Sequence, residues 1–433
     1  VAIRLFPDPL FAGRFVSVVA GSITLVGMWL LAKEVFQKPR IAYLASALYI
    51  LSPFAMMYDR MALYDSLVAT FFVWNLYLSI LLVRRLRLDI ALVLGMALGL
   101  SMLNKTSGFL SLYLLPSTLI LFDWSRNRKI DRISRWLGCI MVAVALSQIM
   151  YGVLRLSPLF HMVSQKDAVF VYTLREWMNH PLLFFTGNIK GLFDWIVNYM
   201  TLPIFFLATL PVFALWHHKP KEKLLLYVSW FAPFVALALF ARVLYPRFIL
   251  FMTMPLLVVA ASSLDWVIDR TRGWLRIVVV GYILYANILA GYFIVTNPLY
   301  ALIPWSDKSQ YISDWPSGWG VKEVNALLLE QSKKEPVTVF TEGTFGLLPY
   351  AIEMYLVDRP NIEIKGIWPI PEIMPQEITD RARNHPTFVV FNQKQAIPLG
   401  WSLELVAEYP KGNRKDRKLR IFRVTLPDTK IKR

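Results

Sequence analysis

Apolar runs separated by short charged connections occupy the chain up to Thr296, at about 14–36, 41–57, 63–83, 88–104, 107–122, 136–155, 194–216, 224–241, 247–266 and 274–296. A helix rises about 1.5 Å per residue, so roughly twenty apolar residues cross a bilayer's hydrocarbon core, and the pattern predicts about ten spans. The second, fourth and fifth runs barely reach that length, and are expected to be tilted, broken or buried among other helices. After Thr296 the period changes. Asn297-Pro298, Pro304 and the sequence from Asp314 to Gly318 form a turn-rich linker, followed by a helical pattern from Val321 to Glu330. Short β-branched runs then follow at Val337–Thr341, Ile362–Lys365, Thr387–Phe391, Leu403–Glu408 and Leu419–Val424. The pattern predicts a polytopic α-helical membrane protein with a C-terminal extracytoplasmic α/β domain, divided as residues 1–298 and 299–433.

Charge follows the same punctuation. Of the +17 net charge, 27 basic against 13 acidic residues lie before Leu299, so the excess sits between apolar runs rather than on one face. That is the footprint of membrane topology and argues against nucleic acid as a partner. Lys33, Lys38 and Arg40; Arg84, Arg85 and Arg87; Arg126, Arg128, Lys129, Arg132 and Arg135; Lys219, Lys221 and Lys223; and Arg270, Arg272 and Arg276 fall at alternate connections, which the positive-inside rule makes cytoplasmic. The other connections share the opposite side: Asp59, Arg60 and Asp65; Lys105; the long loop from Leu156 to Phe193; and Arg242 with Arg247. A composition of 56% hydrophobic residues and a mean hydropathy of +0.48 agree with an integral membrane protein, expected in the cytoplasmic membrane.

The candidate chemistry lies in that second set. Asp65 opens an apolar run in the stretch MYDRMALYDSLVATFF, and an ionisable group there is a functional candidate, although a carboxylate at a helix N-terminus is also simply favoured by the dipole. Lys105 closes a span, either as a phosphate-binding cation or as a lysine snorkelling to the interface. Arg247 opens a span, where the dipole disfavours a cation and a bound anion would explain it. Arg242 and Arg60 join the substrate-binding candidates by topology, and Asp59 is a second catalytic candidate beside Asp65, or a partner for Arg60. The long loop reads as one or two short amphipathic helices on the membrane surface, or as a lid. Its basic counterpart, Lys411, Arg414, Lys415, Arg417, Lys418 and Arg420, reads as a β-hairpin with a solvated edge, open to anionic lipid or glycan. TEGTFGLLPY, from Thr341 to Tyr350, has two glycines after a strand but matches no phosphate loop. Cys139 stands alone, and the five histidines have no ligand spacing, so no metal site is read and a divalent cation stays open.

Four segments resemble the membrane-embedded glycosyltransferases of the C-type (GT-C) fold, in the protein O-mannosyltransferase and lipid A aminoarabinose transferase family. FAGRFVSVVAGSITLVGMWLLAKEVF is similar to the family's second span, and YILSPFAMMYDRMALYDSLVATFF to its Ser-Pro, aromatic and Tyr-Asp hairpin. ALGLSMLNKTSGFLSLYLLP is similar to a span ending Gly-Leu-x-x-Leu-x-Lys, and YPRFILFMTMPLLVVAAS to an Arg-x-x-Leu-x-x-x-Pro segment. The resemblance implies inverting transfer of a sugar from a polyprenyl-phosphate donor to a hydroxyl of a lipid, glycan or protein acceptor on the outer membrane face. By the same resemblance Asp65 matches the family's second acidic position, and Lys105 and Arg247 match cations near the donor phosphate. The family's usual catalytic base lies in a first outer loop, and the chain starts downstream of it. An upstream portion with the first span and that loop is therefore expected to be missing, which would leave the chain as given inactive; in a complete chain Asp59 or Asp65 must serve alone. A transporter or flippase of lipid-linked glycans is the rival reading, though no inverted repeat is visible. An anchored outer binding domain is a third, but it needs far fewer spans.

Overall fold

The structure is a computed structural model that describes residues 2–426 apart from Arg126, Leu215 and Phe345. Arg126, one of the basic connection residues, thus lies outside the described residues. Two compact units emerge, one of Leu10–Pro304 with the first few residues of the chain, the other from Trp305 onward with Phe6–Pro9.

The first unit is helical. Among the described residues six helices are long and apolar enough to span: Pro9–Phe36, Asp65–Arg85, Lys129–Leu156, Pro220–Phe240, Pro246–Arg270 and Gly273–Thr296. A seventh is added if Phe185–Met200 and Leu202–Phe213, bent by 109° at Thr201, count as one span. The expected ten therefore become six or seven, and the reason is local. The second run splits into Pro39–Ile50 and Pro53–Tyr58, because the residue before a proline is pushed out of helical geometry. Ser52 takes the extended conformation there and caps the second piece by accepting from the Ala55 amide. The fourth run is a 17-residue helix, Leu88–Asn104, and the fifth winds from Thr106 to Leu121 largely as 3-10 turns.

Burial separates the helices by role. Pro246–Arg270 has 94% of its apolar window inside the protein and Asp65–Arg85 has 78%, against 17% for Lys129–Leu156. A helix apolar on every side is the core of a bundle, and these two form it, in contact through Phe72 and Phe251 at 4.7 Å between rings. Both begin at the connections that hold Asp65 and Arg247.

The second unit is a five-stranded sheet in the order β2-β1-β3-β5-β4, where β1 is Val337–Glu342, β2 Ile362–Ile367, β3 Thr387–Phe391, β4 Leu403–Lys411 and β5 Arg414–Val424. Each expected strand is present. β1 pairs in parallel with β2 and β3, and β5 pairs antiparallel with β3 and β4. Every residue of β1 and β3 is buried, as central parallel strands covered on both faces require. Val324 and Leu328 of the Val321–Ser332 helix and Ile352 of Tyr350–Leu356 pack with Val339, Val390 and Ile421. Ile378 of Gln376–Asn384 packs with Phe340, Phe391 and Phe422. In the basic hairpin Lys411 departs from the expected solvated edge: it is fully buried and donates to the carbonyls of Ser317 (2.7 Å) and Trp319 (3.1 Å), and burial draws its pKa down to about 8. The TEGTFGLLPY turn has a structural explanation in Glu342, whose carboxylate accepts from the backbone amides of Asn392, Gln393 and Lys394 and so ties the end of β1 to the exit of β3.

Candidate functional site

Three of the residues singled out by sequence meet at one end of the helical unit. Asp65 is the first residue of its helix, where unpaired N–H groups and the dipole favour a carboxylate. It is 2% exposed, and its Oδ1 receives the Lys105 Nζ at 2.6 Å. The Arg247 Nε stands 4.0 Å from Oδ2, which has no hydrogen-bond donor. The side chains of Lys105 and Arg247 keep 18% and 17% of their surface open, so the carboxylate is sealed while both cations retain a solvent-facing edge.

Lys105 is placed by a sharp reversal of the chain. Leu88–Asn104 ends when Lys105 turns extended (φ −160°, ψ 145°), and the Gly108 amide donates back to the Lys105 carbonyl at 2.8 Å. A Cβ on Gly108 would lie 2.5 Å from the Ser101 backbone, so only glycine permits this close fold. Aromatic rings complete the surroundings. Lys105 lies 4.2 Å from the centre of the Phe248 ring and 4.9 Å from that of Tyr64, and Arg247 lies 4.6 Å from Tyr245 and 5.3 Å from Phe248. Burial lowers the pKa of Lys105, and the Asp65 charge opposes that shift. Two cations and two helix N-termini against one carboxylate leave a net positive recess, suited to an anion.

Asp59 occupies a second, neighbouring cluster. It caps the Pro53–Tyr58 helix, and its Oδ2 accepts from the Tyr49 hydroxyl at 2.5 Å. It presses on the Pro9–Phe36 helix at Gly21, where an added Cβ would meet Oδ2 at 2.7 Å. Burial raises the Asp59 pKa to about 6, with hydrogen bonds from Tyr49 and Ser66 acting against it. Ser66, the residue after Asp65, also donates to the Tyr58 carbonyl at 3.1 Å and joins the two clusters.

The other two candidates lie elsewhere. Arg60 reaches the Ile294 carbonyl at 3.4 Å. Arg242 serves the long loop, which forms the short helices His161–Phe170 and Leu174–Asn179. It pairs with Glu176 at 2.5 Å, donates to the Ala168 carbonyl at 3.1 Å and lies 4.3 Å from the Tyr172 ring. Thr106, beside Lys105, bonds Asp167 of the same loop at 3.1 Å. Sequence reading missed Phe248, which faces both cations, Tyr49, and the Asp167 and Glu176 tethers. Phe248 stands directly after Arg247, and an aromatic beside a cation at a span's start is the signal that could have found it. Among the described residues no three His, Cys, Asp or Glu side chains gather as a metal set.

Residues 1–151 match the family model described as dolichyl-phosphate-mannose-protein mannosyltransferase. That match marks the chain as a glycosyltransferase. ArnT from Cupriavidus metallidurans in the apo state aligns with TM-score 0.56 and 14% identity, over 95% of this chain and 83% of that one. The same protein bound to undecaprenyl phosphate aligns with TM-score 0.55 and 14% identity, over 95% and 84%. The shared fold is that of the C-type membrane glycosyltransferases. Archaeal AglB from Archaeoglobus fulgidus, in complex with an inhibitory peptide and a dolichol-phosphate, aligns with TM-score 0.48 and 13% identity, over 88% and 58%. No curated protein matches the chain in sequence. The fold and the apolar helices together describe a multi-pass membrane protein with a C-terminal sheet domain.

Proposed function

We propose that this glycosyltransferase takes a sugar from a polyprenyl-phosphate donor and transfers it, with inversion, to an acceptor hydroxyl at the Asp65 end of the helical unit. The observation that carries the reading is the recess in which Lys105 and Arg247 face outward around the sealed Asp65 carboxylate. Bond cleavage at the anomeric carbon leaves negative charge on the departing phosphate. Fixed cations placed where that charge develops lower the barrier, and they are worth more in a water-poor site. Asp65 is then a positioning residue: its Oδ1 holds the Lys105 ammonium, and its charge keeps two like-charged groups together. Asp59 is the candidate base, since a carboxylate with a pKa near 6 both exists ionised at neutral pH and accepts a proton from an approaching hydroxyl. The lipid-linked donor, the lipid, glycan or protein acceptor, and the surrounding membrane lipids are the proposed partners. The basic connections point to an outward-facing Asp65 end, in the cytoplasmic membrane, with the C-terminal unit on the same side.

The test is transfer of radiolabelled sugar from polyprenyl-phosphate donors in membranes carrying the full-length natural protein. Asp65→Asn is expected to abolish transfer with expression unchanged. Turnover equal to the parent's would remove Asp65 from the mechanism, and donor flipping without transfer would favour a transporter.

A further inference from the structure

A cavity of about 360 Å³ opens at the other end of the same helices, well away from the site described above. Its wall includes Lys33 and Gln37 from the end of Pro9–Phe36, and Tyr77 and Arg85 from the end of Asp65–Arg85. Leu30 supplies an apolar side. Glu34 contributes an acid, but its charge is already engaged. Arg84 takes one Glu34 oxygen at 2.8 Å, and Arg84 itself is shared with Glu222 at 3.0 Å. Arg85 reaches the other Glu34 oxygen only at 3.5 Å and keeps 52% of its side chain open. A guanidinium carries five N–H donors, so a single long contact leaves most of its hydrogen-bonding capacity available.

Lys33 completes the positive side. Its Nζ lies 4.5 Å from the centre of the Trp29 ring, and among the described residues it meets no carboxylate within ion-pair distance. Gln37 sits in the left-handed conformation (φ 53°), its amide closing the helix on the Lys33 carbonyl at 2.8 Å. That closure fixes Gln37 at the helix end beside the two cations. Trp29 and Tyr43 form an edge contact at 6.0 Å between ring centres, and Tyr43 is 64% exposed; Trp74 and Tyr77 form another pair at 6.0 Å. Trp29 and Tyr43, beside the connection that holds Lys33 and Lys38, stand where tryptophan and tyrosine mark the depth of the lipid headgroups, whereas Trp74 lies at mid-helix. A cavity lined by lysine and arginine at that depth is built for a headgroup phosphate, and its volume lies in the range of small-molecule sites.

We propose that this cavity seats the phosphate of an anionic phospholipid headgroup, held by Lys33 and Arg85, with Gln37 and Tyr77 offering hydrogen bonds to the glycerol oxygens. Phospholipid is the occupant because the cavity lies near the Trp29 and Tyr43 pair at the membrane interface and has Leu30 on its wall, so acyl chains enter the bilayer while the phosphate stays with the cations. The lipid would brace the end of Asp65–Arg85, the helix that begins at the Asp65 site, against the end of Pro9–Phe36. The inference does not use turnover, so it stands or falls separately from the proposed reaction.

The test is native mass spectrometry of the purified full chain titrated with phosphatidylglycerol and, in parallel, phosphatidylcholine of the same acyl length. The parent protein is expected to retain phosphatidylglycerol several-fold better. The double variant Lys33→Gln with Arg85→Gln is expected to lose about tenfold in that retention, the scale of one charge-assisted contact. Arg128→Gln with Arg135→Gln, at another basic connection, is expected to leave it intact. Gln37→Leu removes no charge and should weaken retention less, which guards against a folding defect in the double variant. Equal retention of the two lipids, or undiminished phosphatidylglycerol in the Lys33 and Arg85 variant, would overturn the proposal. So would thermal stabilisation by inorganic phosphate alone that equals the effect of phosphatidylglycerol, because that result assigns the cavity to a free anion.

Discussion

The two ends of the helical unit use their cations differently. Asp65–Arg85 is 21 residues long, about 30 Å, and carries Asp65 at one end and Arg84 at the other. Pro246–Arg270 likewise runs from Arg247 to Asp265 and Asp269. At the far end each inter-helix acid is paired. Arg40 meets both Asp265 and Asp269, Lys38 meets Asp265 at 2.6 Å, and Arg84 lies between Glu34 and Glu222. At the near end two cations share one buried carboxylate, and aromatic rings stand where further acids would be. A balanced network ties helices together. An unbalanced one keeps repulsion in place for the sake of something that arrives carrying negative charge.

The largest effect is expected at the near end. Arg247→Ala should lower transfer by about 100-fold or more, the cost of removing one fixed donor from a developing charge, with donor affinity falling as well; radiolabel transfer at several donor concentrations separates the two. Lys105→Met should act similarly and also lower the melting temperature, since it leaves the buried Asp65 carboxylate without the donor to its Oδ1. At the far end Arg84→Gln should do the reverse. It leaves Glu34 and Glu222 facing each other without their shared partner, at about 2 kcal/mol, so the melting temperature of the solubilised protein falls while transfer per folded molecule holds.

Asp59 gives a pH-dependent prediction. Its folded pKa of about 6 lies above the unfolded value near 4, so the fold favours the protonated form. The stability this supplies is fully present below about pH 4 and is lost as pH rises through 6. Asp59→Asn should therefore melt higher than the parent above about pH 7, by about 2 kcal/mol after allowance for partial exposure, and match it in acid, while transferring less sugar. The smallest effect belongs to Arg242→Gln. It cuts an exposed pair to Glu176, so protease cleavage within Leu156 to Phe193 should rise slightly with little change in melting.

Much of this was legible in the chain because periodicity reports burial. The strands of the sheet emerge from β-branched runs, and the alternation of charge brought Asp65, Lys105 and Arg247 to one end before any geometry was known. What stayed hidden was decided by packing. The apolar run at 107–122 looks like a span, but Gly108 and Pro116 wind it into tight turns. Thr201 bends another run by 109°. Arg242 and Arg247 share one connection in the sequence, yet one meets Glu176 and the other Asp65. Lys411 sits within a run of bases and is the one that folding buries. None of these distinctions alters local composition, so no local pattern records them.

The most direct measurement is equilibrium binding of polyprenyl phosphate to the purified protein, comparing the parent with Arg247→Ala, Lys105→Met and Arg84→Gln under one salt condition. If the near end is the phosphate site, the first two variants lose affinity by about tenfold or more and Arg84→Gln binds as the parent does. Equal binding by all four, or a loss confined to Arg84→Gln, would contradict the assignment of the recess around Asp65.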